Sequence, residues 1–244
     1  MVPAHARGGG RILTRGLAAL ALVLAGCAGG RGDAARALPA DCSAPVVYAA
    51  LGDSTVEGVG ASRPELNYVS RLHSRLRAAY PNARSVNLGV AGAASADVVA
   101  GQLARAVELQ PGLVTLSVGP NDITGRVPVE TFAKNLDTIL GRLARETRAL
   151  VVANLLPDLA VTPRFHASRA REAVGRQTVL FNEALARAAR THRVALVDLY
   201  EPSRREVPER PELVWSDGYH PSDAGYARWA ELVWRGVEAG IPAC

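Results

Sequence analysis

Two short stretches at opposite ends of the chain carry residue types that suit one reaction. Gly52-Asp53-Ser54 follows a run with the character of a buried strand, and Asp217-Gly218-Tyr219-His220 precedes the last helical pattern. A serine hydroxyl is a poor nucleophile until a neighbouring base takes its proton. An imidazole does this only in the tautomer that a carboxylate on its other nitrogen fixes. The three-residue spacing lets Asp217 reach back to the His220 ring within one turn of chain. Ser54, His220 and Asp217 are thus the candidate nucleophile, base and orienter. An attacked carbonyl also needs donors where negative charge develops, each worth about 3 kcal/mol of barrier. Gly92 and Asn121 stand just past two further strand-like runs, where such donors belong. A glycine at 92 also allows close backbone approach.

These residues need a frame to bring them together. From Val46 onward, apolar runs alternate with helical spacing. Val46 to Leu51, Ser85 to Leu88, Leu113 to Val118, Ala149 to Leu155 and Val194 to Val197 read as five strands. Helical patterns join Tyr68, Leu72, Leu76 and Ala79, span Asp97 to Leu109, and run from Pro128 through Phe132, Leu136, Leu140 and Leu143. A further helix runs to about Arg190. Ser222 caps a last one that turns Tyr226, Trp229, Val233 and Val237 inward. Near-continuous apolar strands alternating with helices predict a three-layer α/β/α sandwich with a five-stranded parallel sheet, in one domain from Cys42 to Cys244. Ligands bind such sheets beyond the carboxyl ends of the strands. Ser54, Gly92, Asn121 and the Asp217/His220 pair follow strands one, two, three and five.

Four blocks now stand in order: Gly52-Asp53-Ser54, Asn87-Leu88-Gly89-Val90-Ala91-Gly92, Gly119-Pro120-Asn121-Asp122 and Asp217-Gly218-Tyr219-His220-Pro221. Together they resemble those of the SGNH hydrolase superfamily, the GDSL-type esterases and lipases, over nearly the whole mature domain. The resemblance implies a flavodoxin-like SGNH hydrolase fold and hydrolysis of acyl esters through an acyl-enzyme on Ser54. His220 would be general base and acid, and Asp217 its orienter. The oxyanion hole would use the amides of Ser54 and Gly92 and the side-chain nitrogen of Asn121. No cofactor is implied. Thr55 departs from the family's name motif, which has leucine there, and leaves local packing and acyl preference open. Asn87 is given no chemistry and is expected to be a buried strand residue satisfying backbone groups.

Other chemistries fail on specifics. No glycine-rich loop precedes Lys134, the sole lysine, so there is no phosphate-binding loop. Gly58-Val59-Gly60 begins like a dinucleotide fingerprint, but Arg63 takes the third glycine's place. No zinc spacing occurs. The basic residues are scattered without interleaved aromatics, which argues against a nucleic-acid partner. His73 falls off its helix's apolar stripe, and His192 sits at a helix end. His166 lies in an excursion from Pro157 to Arg176, read as a lid, a substrate loop or simply a solvated loop. With Thr55 to Leu66, Ile123 to Val127 and a charged loop from Tyr200 to Ser216, it would shape the pocket.

The first 26 residues are expected to be removed. Arg7, Arg11 and Arg15 precede an unbroken apolar run from Leu17 to Leu24, too short to cross a bilayer. Leu24-Ala25-Gly26-Cys27 then resembles a bacterial lipoprotein lipobox, which implies lipidation of Cys27 and export to the outer face of the cytoplasmic membrane; an ordinary secretory signal is the alternative. Its loss lowers the net charge from +5 to +2. Residues 27–41 read as a flexible tether. Cys42 and Cys244 flank the domain, and in an oxidising compartment they are expected to pair. Substrate class stays open among small esters, acetylated carbohydrates and lysophospholipid or thioester lipids. A non-catalytic, surface-anchored binding lipoprotein on the same fold is the rival, and no oligomeric state follows.

Overall fold

A computed structural model of the protein describes Met1 and residues 36–243. The expected signal segment, the lipobox with Cys27, and Cys244 lie outside the described residues. The described residues from Arg36 onward belong to one compact unit, which bears the site.

The five strands are β1 (Val47–Gly52), β2 (Arg84–Asn87), β3 (Leu113–Ser117), β4 (Leu150–Asn154) and β5 (Ala195–Val197). Each falls within one residue of its expected bounds. All pair in parallel, in the order β2-β1-β3-β4-β5, which is the flavodoxin-like arrangement. Between them run α1 (Ser54–Glu57), α2 (Tyr68–Ala79) and α3 (Ser95–Asp97), which passes through a π turn at Val98–Gln102 into α4 (Leu103–Glu108). Then follow α5 (Pro120–Thr124), α6 (Val129–Glu146), α7 (Pro163–His166), α8 (Arg171–His192), α9 (Tyr200–Glu209) and α10 (Asp223–Glu238).

Alternation along the strands sorts the core into two layers. Ala49 and Leu51 of β1 face one side with Leu103 of α4, Leu136 and Leu140 of α6 and Leu185 of α8. Phe132 and Phe181 stack there at 4.5 Å. Tyr48 and Ala50 face the other side with Leu72 and Leu76 of α2 and Val233 and Val237 of α10. Helices therefore cover both faces, which is why β3 and β4 are buried along their whole length and β1 from Tyr48 onward. Among the described residues no helix is long and apolar enough to cross a membrane.

Three expectations need correction. The end of the expected tether is packed: Leu38 is buried against the α2/α10 layer and donates its N–H to Gly240 O at 2.8 Å. The Arg36 guanidinium donates to the carbonyls of Leu143, Ala144 and Thr147, the open C-terminal end of α6. The segment expected as a charged loop from Tyr200 to Ser216 contains α9 and a 3₁₀ turn at Pro211–Leu213. None of the α9 residues is buried, and Pro208 stands inside it. The Pro157 to Arg176 excursion is likewise built, with Leu159 and Phe165 buried, α7 in its middle, and α8 already begun at Arg171.

Candidate active site

The nucleophile's position is fixed from the end of β1. Gly52 has φ +146°, and a Cβ there would lie 1.9 Å from Ser117 O, so only glycine fits. The buried Gln102 side chain accepts the Gly52 N–H and donates to its carbonyl, both at 2.8 Å. Asp53 then caps α1: its Oδ1 accepts the Thr55 N–H at 2.9 Å and the Thr55 hydroxyl at 2.8 Å. Ser54 is consequently the first residue of α1, where an amide has no intrahelical acceptor. Thr55, the departure from the name motif, thus supplies its neighbour with a second donor. Burial pushes the Asp53 carboxyl up to about 6, against those two hydrogen bonds.

The base sits on a tight turn closed by its own backbone. Trp215 N–H donates to His220 O at 2.8 Å, and Gly218 N–H donates to Trp215 O at 2.9 Å. Inside that turn Asp217 Oδ1 accepts the amides of Tyr219 and His220 at 2.9 and 3.0 Å. Asp217 Oδ2 lies 2.5 Å from His220 Nδ1. Burial works against the Asp217 carboxylate, yet the His220 ring and the two amides together hold it below the ordinary range. With Nδ1–H given to Asp217, Nε2 is the acceptor, and it stands 2.9 Å from Ser54 Oγ. The structure brings together the three residues read as a triad. The Tyr219 ring meets the imidazole edge-on at 5.1 Å, and Arg164 of α7 lies over the Tyr219 ring at 4.9 Å. The excursion therefore braces the base, while His166 is exposed.

The expected donors lie on loops tied to one another. Asn121 stands in the first turn of α5, and its Nδ2 donates to Ala93 O at 3.0 Å, next to Gly92. One amide hydrogen is used there and the other is left for a ligand. Gly92 has φ +81°, with nothing within 4 Å of a would-be Cβ; among protein atoms its need for glycine is conformational rather than steric. Asp122 does not cap its own turn. Its buried carboxylate crosses to α3, where Oδ2 accepts the Ser95 N–H at 2.9 Å and Oδ1 the Ser95 hydroxyl at 2.5 Å. Burial raises the Asp122 carboxyl despite those bonds. Asn87 is exposed rather than buried, but it does bond backbone: Nδ2 donates to Val56 O at 2.7 Å and Oδ1 accepts the Gly89 N–H at 2.9 Å.

Sequence reasoning missed Gln102 and the inter-loop role of Asp122. The only trace of Gln102 is a polar residue at an apolar helix position beside Val98 and Leu103. The other histidines stand apart: His73 Nε2 is 3.2 Å from Ala83 O, and His192 Nε2 is 2.6 Å from Asp137 Oδ1. Three of the four expected pocket segments supply walls of the cavity beside Ser54 and His220, through Thr55, Pro157, Leu159, Pro202 and Leu213; Ile123 and Val127 line a different one. Among the described residues no group of three or more His, Cys, Asp or Glu is placed to hold a metal ion.

A fold and site of this form have known counterparts. The chain is similar in structure to LAE5, an alpha/beta hydrolase enzyme from the metagenome of Lake Arreo, Spain, at 22% identity and a TM-score of 0.64, over 79% of this chain and 95% of that one. TesA gives 24% identity and a TM-score of 0.64 over 79% and 98% of the two chains. The W215I form of Axe2, an acetyl xylan esterase from Geobacillus stearothermophilus, gives 20% and 0.64 over 82% and 97%. A search of curated proteins returned no significant match. The model of the GDSL-like Lipase/Acylhydrolase family matches residues 50–228, from the end of β1 into α10. That span holds every residue of the site, and the chain belongs to this family of ester-bond hydrolases.

Proposed function

We propose that the protein is a serine esterase that cleaves acyl esters through an acyl-enzyme on Ser54. The observation that carries this is the unbroken chain Ser54 Oγ, His220 Nε2, His220 Nδ1, Asp217 Oδ2, at 2.9 and 2.5 Å. His220 Nε2 takes the hydroxyl proton as Ser54 Oγ bonds to the carbonyl carbon. The amides of Ser54 and Gly92 and the Asn121 side chain stabilise the oxyanion. Collapse expels the alcohol, which leaves with the proton from His220. Water then repeats the sequence, frees the acid and restores Ser54. The short-acyl subclass, including acetylated glycans, is favoured over long-chain lipids by the likeness to Axe2, described as an acetyl xylan esterase.

A fluorophosphonate probe tests the nucleophile: wild type labels, and Ser54→Ala does not. His220→Ala loses at least ~10³-fold in p-nitrophenyl acetate turnover, as triad knockouts do. Near-normal turnover by that variant excludes His220 as the base.

Export and lipid anchoring at Cys27 belong to the same proposal, supported by the lipobox-like Leu24-Ala25-Gly26-Cys27. Cys27→Ser then moves the protein from membrane to soluble fractions, and unchanged partitioning removes the anchor. A Cys42–Cys244 bridge is supported by the packing of Cys42 in the layer that holds Ile241. Mass mapping of non-reduced peptides tests it.

A further inference from the structure

The turn that carries the base is held from outside by α7. Arg164 N–H donates to Gly218 O at 2.9 Å. Gly218 has φ +72°, and a Cβ there would lie 3.2 Å from Pro163 Cβ and 3.3 Å from Arg164 N, so the helix is seated directly on the turn. The side chains repeat the contact. The Arg164 guanidinium lies 4.9 Å from the centre of the Tyr219 ring and 5.6 Å from that of Phe165. The Phe165 and Tyr219 rings meet edge-on at 6.0 Å, and Tyr219 meets the imidazole at 5.1 Å with the planes 80° apart. A continuous train of contacts thus runs from an exposed cation to the base.

The chemistry explains what such a train is for. Among the described residues no carboxylate forms an ion pair with Arg164. Its planar guanidinium suits stacking on rings, and the attraction of a cation for an aromatic face holds it there. The imidazole, for its part, needs a fixed plane. Asp217 Oδ2 holds Nδ1 and sets the tautomer, but one hydrogen bond tolerates tilting of the ring. Nε2 has to meet Ser54 Oγ, 2.9 Å away, and later hand the proton to the departing alcohol. A ring packed nearly at right angles limits that tilt, provided the ring itself cannot turn aside.

We propose that Arg164 is a positioning residue for the base, acting through Tyr219: the guanidinium pins the phenol ring, and the ring fixes the plane of the His220 imidazole. This rests on the proposed triad. The same segment walls the cavity beside Ser54 and His220 through Pro157, Asp158, Leu159 and Thr162, so wall and base are assembled as one piece.

The test measures kcat and KM separately on p-nitrophenyl acetate, an uncharged ester, for wild type, Arg164→Met, Tyr219→Leu, the double variant and Arg169→Met. Misplacing a reacting group by about 1 Å costs on the order of 10²-fold, so a base that keeps Asp217 but loses its lateral support drops about tenfold in kcat, with KM unchanged. Arg164→Met and Tyr219→Leu each show that loss. The double variant shows no more than either alone, because both break one train of contacts. Arg169, exposed in the same excursion, controls for charge, and Arg169→Met keeps kcat within about twofold. A kcat within about twofold of wild type in Arg164→Met overturns the proposal. So does a rise in KM alone, which puts Arg164 against substrate, or an equal loss in Arg169→Met. Losses that multiply in the double variant exclude the route through Tyr219. If Tyr219→Leu does not fold, by circular dichroism and urea midpoint, the kcat and KM of Arg164→Met decide alone. Failure of the triad looks different: fluorophosphonate leaves Ser54 unlabelled and His220→Ala turns over normally, whereas failure of this proposal alone leaves Ser54 labelled and His220→Ala inactive.

Discussion

The Gln102 side chain bonds Gly52 as a partner strand would, beyond the point where β2 has ended at Asn87. Gly52 is two residues from the nucleophile, and Gln102 reaches it from a π turn that interrupts α3 and α4. Such turns recur at functional sites because they rotate a side chain out of helical register. Gln102→Leu leaves the Gly52 N–H unpaired, a loss of about 1–3 kcal/mol in urea unfolding. Displacing Ser54 by even ~1 Å also lowers kcat by about 10–100-fold. Lost stability with normal kcat on p-nitrophenyl acetate would separate Gly52 from the positioning of Ser54.

Asp53 makes stability depend on pH in an unusual sense. Its carboxyl is raised from 3.8 to about 6 by burial. Below about pH 4 it is protonated in folded and unfolded chains alike. Between about 4 and 6 only the folded chain retains the proton, so stability falls as pH rises through that window. The total is about 3 kcal/mol, from about two units at 1.36 kcal/mol each. Asp217 acts oppositely, its lowered carboxyl giving stability that is lost in acid. Asp53→Asn therefore gains on wild type between pH 4 and 6. A constant gap between the two unfolding curves contradicts the assignment.

Thr55 donates through both backbone and hydroxyl to one oxygen of Asp53. Thr55→Val removes the hydroxyl at nearly constant volume. Expected losses are about 1.5–3 kcal/mol at pH 8, where the acceptor is charged, and about 0.5–1.5 kcal/mol at pH 4, where it is neutral. Equal losses at both pH values mean that the bond does not sense the proton on Asp53.

Leu38 is 3% exposed although it lies in a stretch that reads as a tether. Leu38→Ala loses about 2–4 kcal/mol in chemical unfolding while kcat per folded molecule is unchanged. A loss below ~0.5 kcal/mol returns residues 36–41 to the tether.

The sheet was readable because its strands are covered on both sides and must be continuous apolar runs. The triad was readable because its roles require particular residue types at particular chain positions. What escaped reading has physical causes. α9 packs no residue fully into the core, and Pro208 inside it reads as a break. Gln102 acts through a register shift that no spacing rule anticipates. Arg36 acts as a cap for α6 across more than a hundred residues, and long-range capping of helix carbonyls leaves no local pattern. Asn87 was expected inside the sheet, yet it ends edge strand β2 in the open.

Acid and base are joined within four residues of one turn, whereas the hydroxyl reaches the ring across 166 positions of sequence. The two halves of the machinery meet at that contact and at bonds beside it from α10, where the Asp223 carboxylate accepts the Ser62 N–H and hydroxyl and the Tyr226 hydroxyl donates to Val59 O. Loosening α10 from the Val59 to Ser62 segment would part hydroxyl from ring while each half stays braced by its own turn.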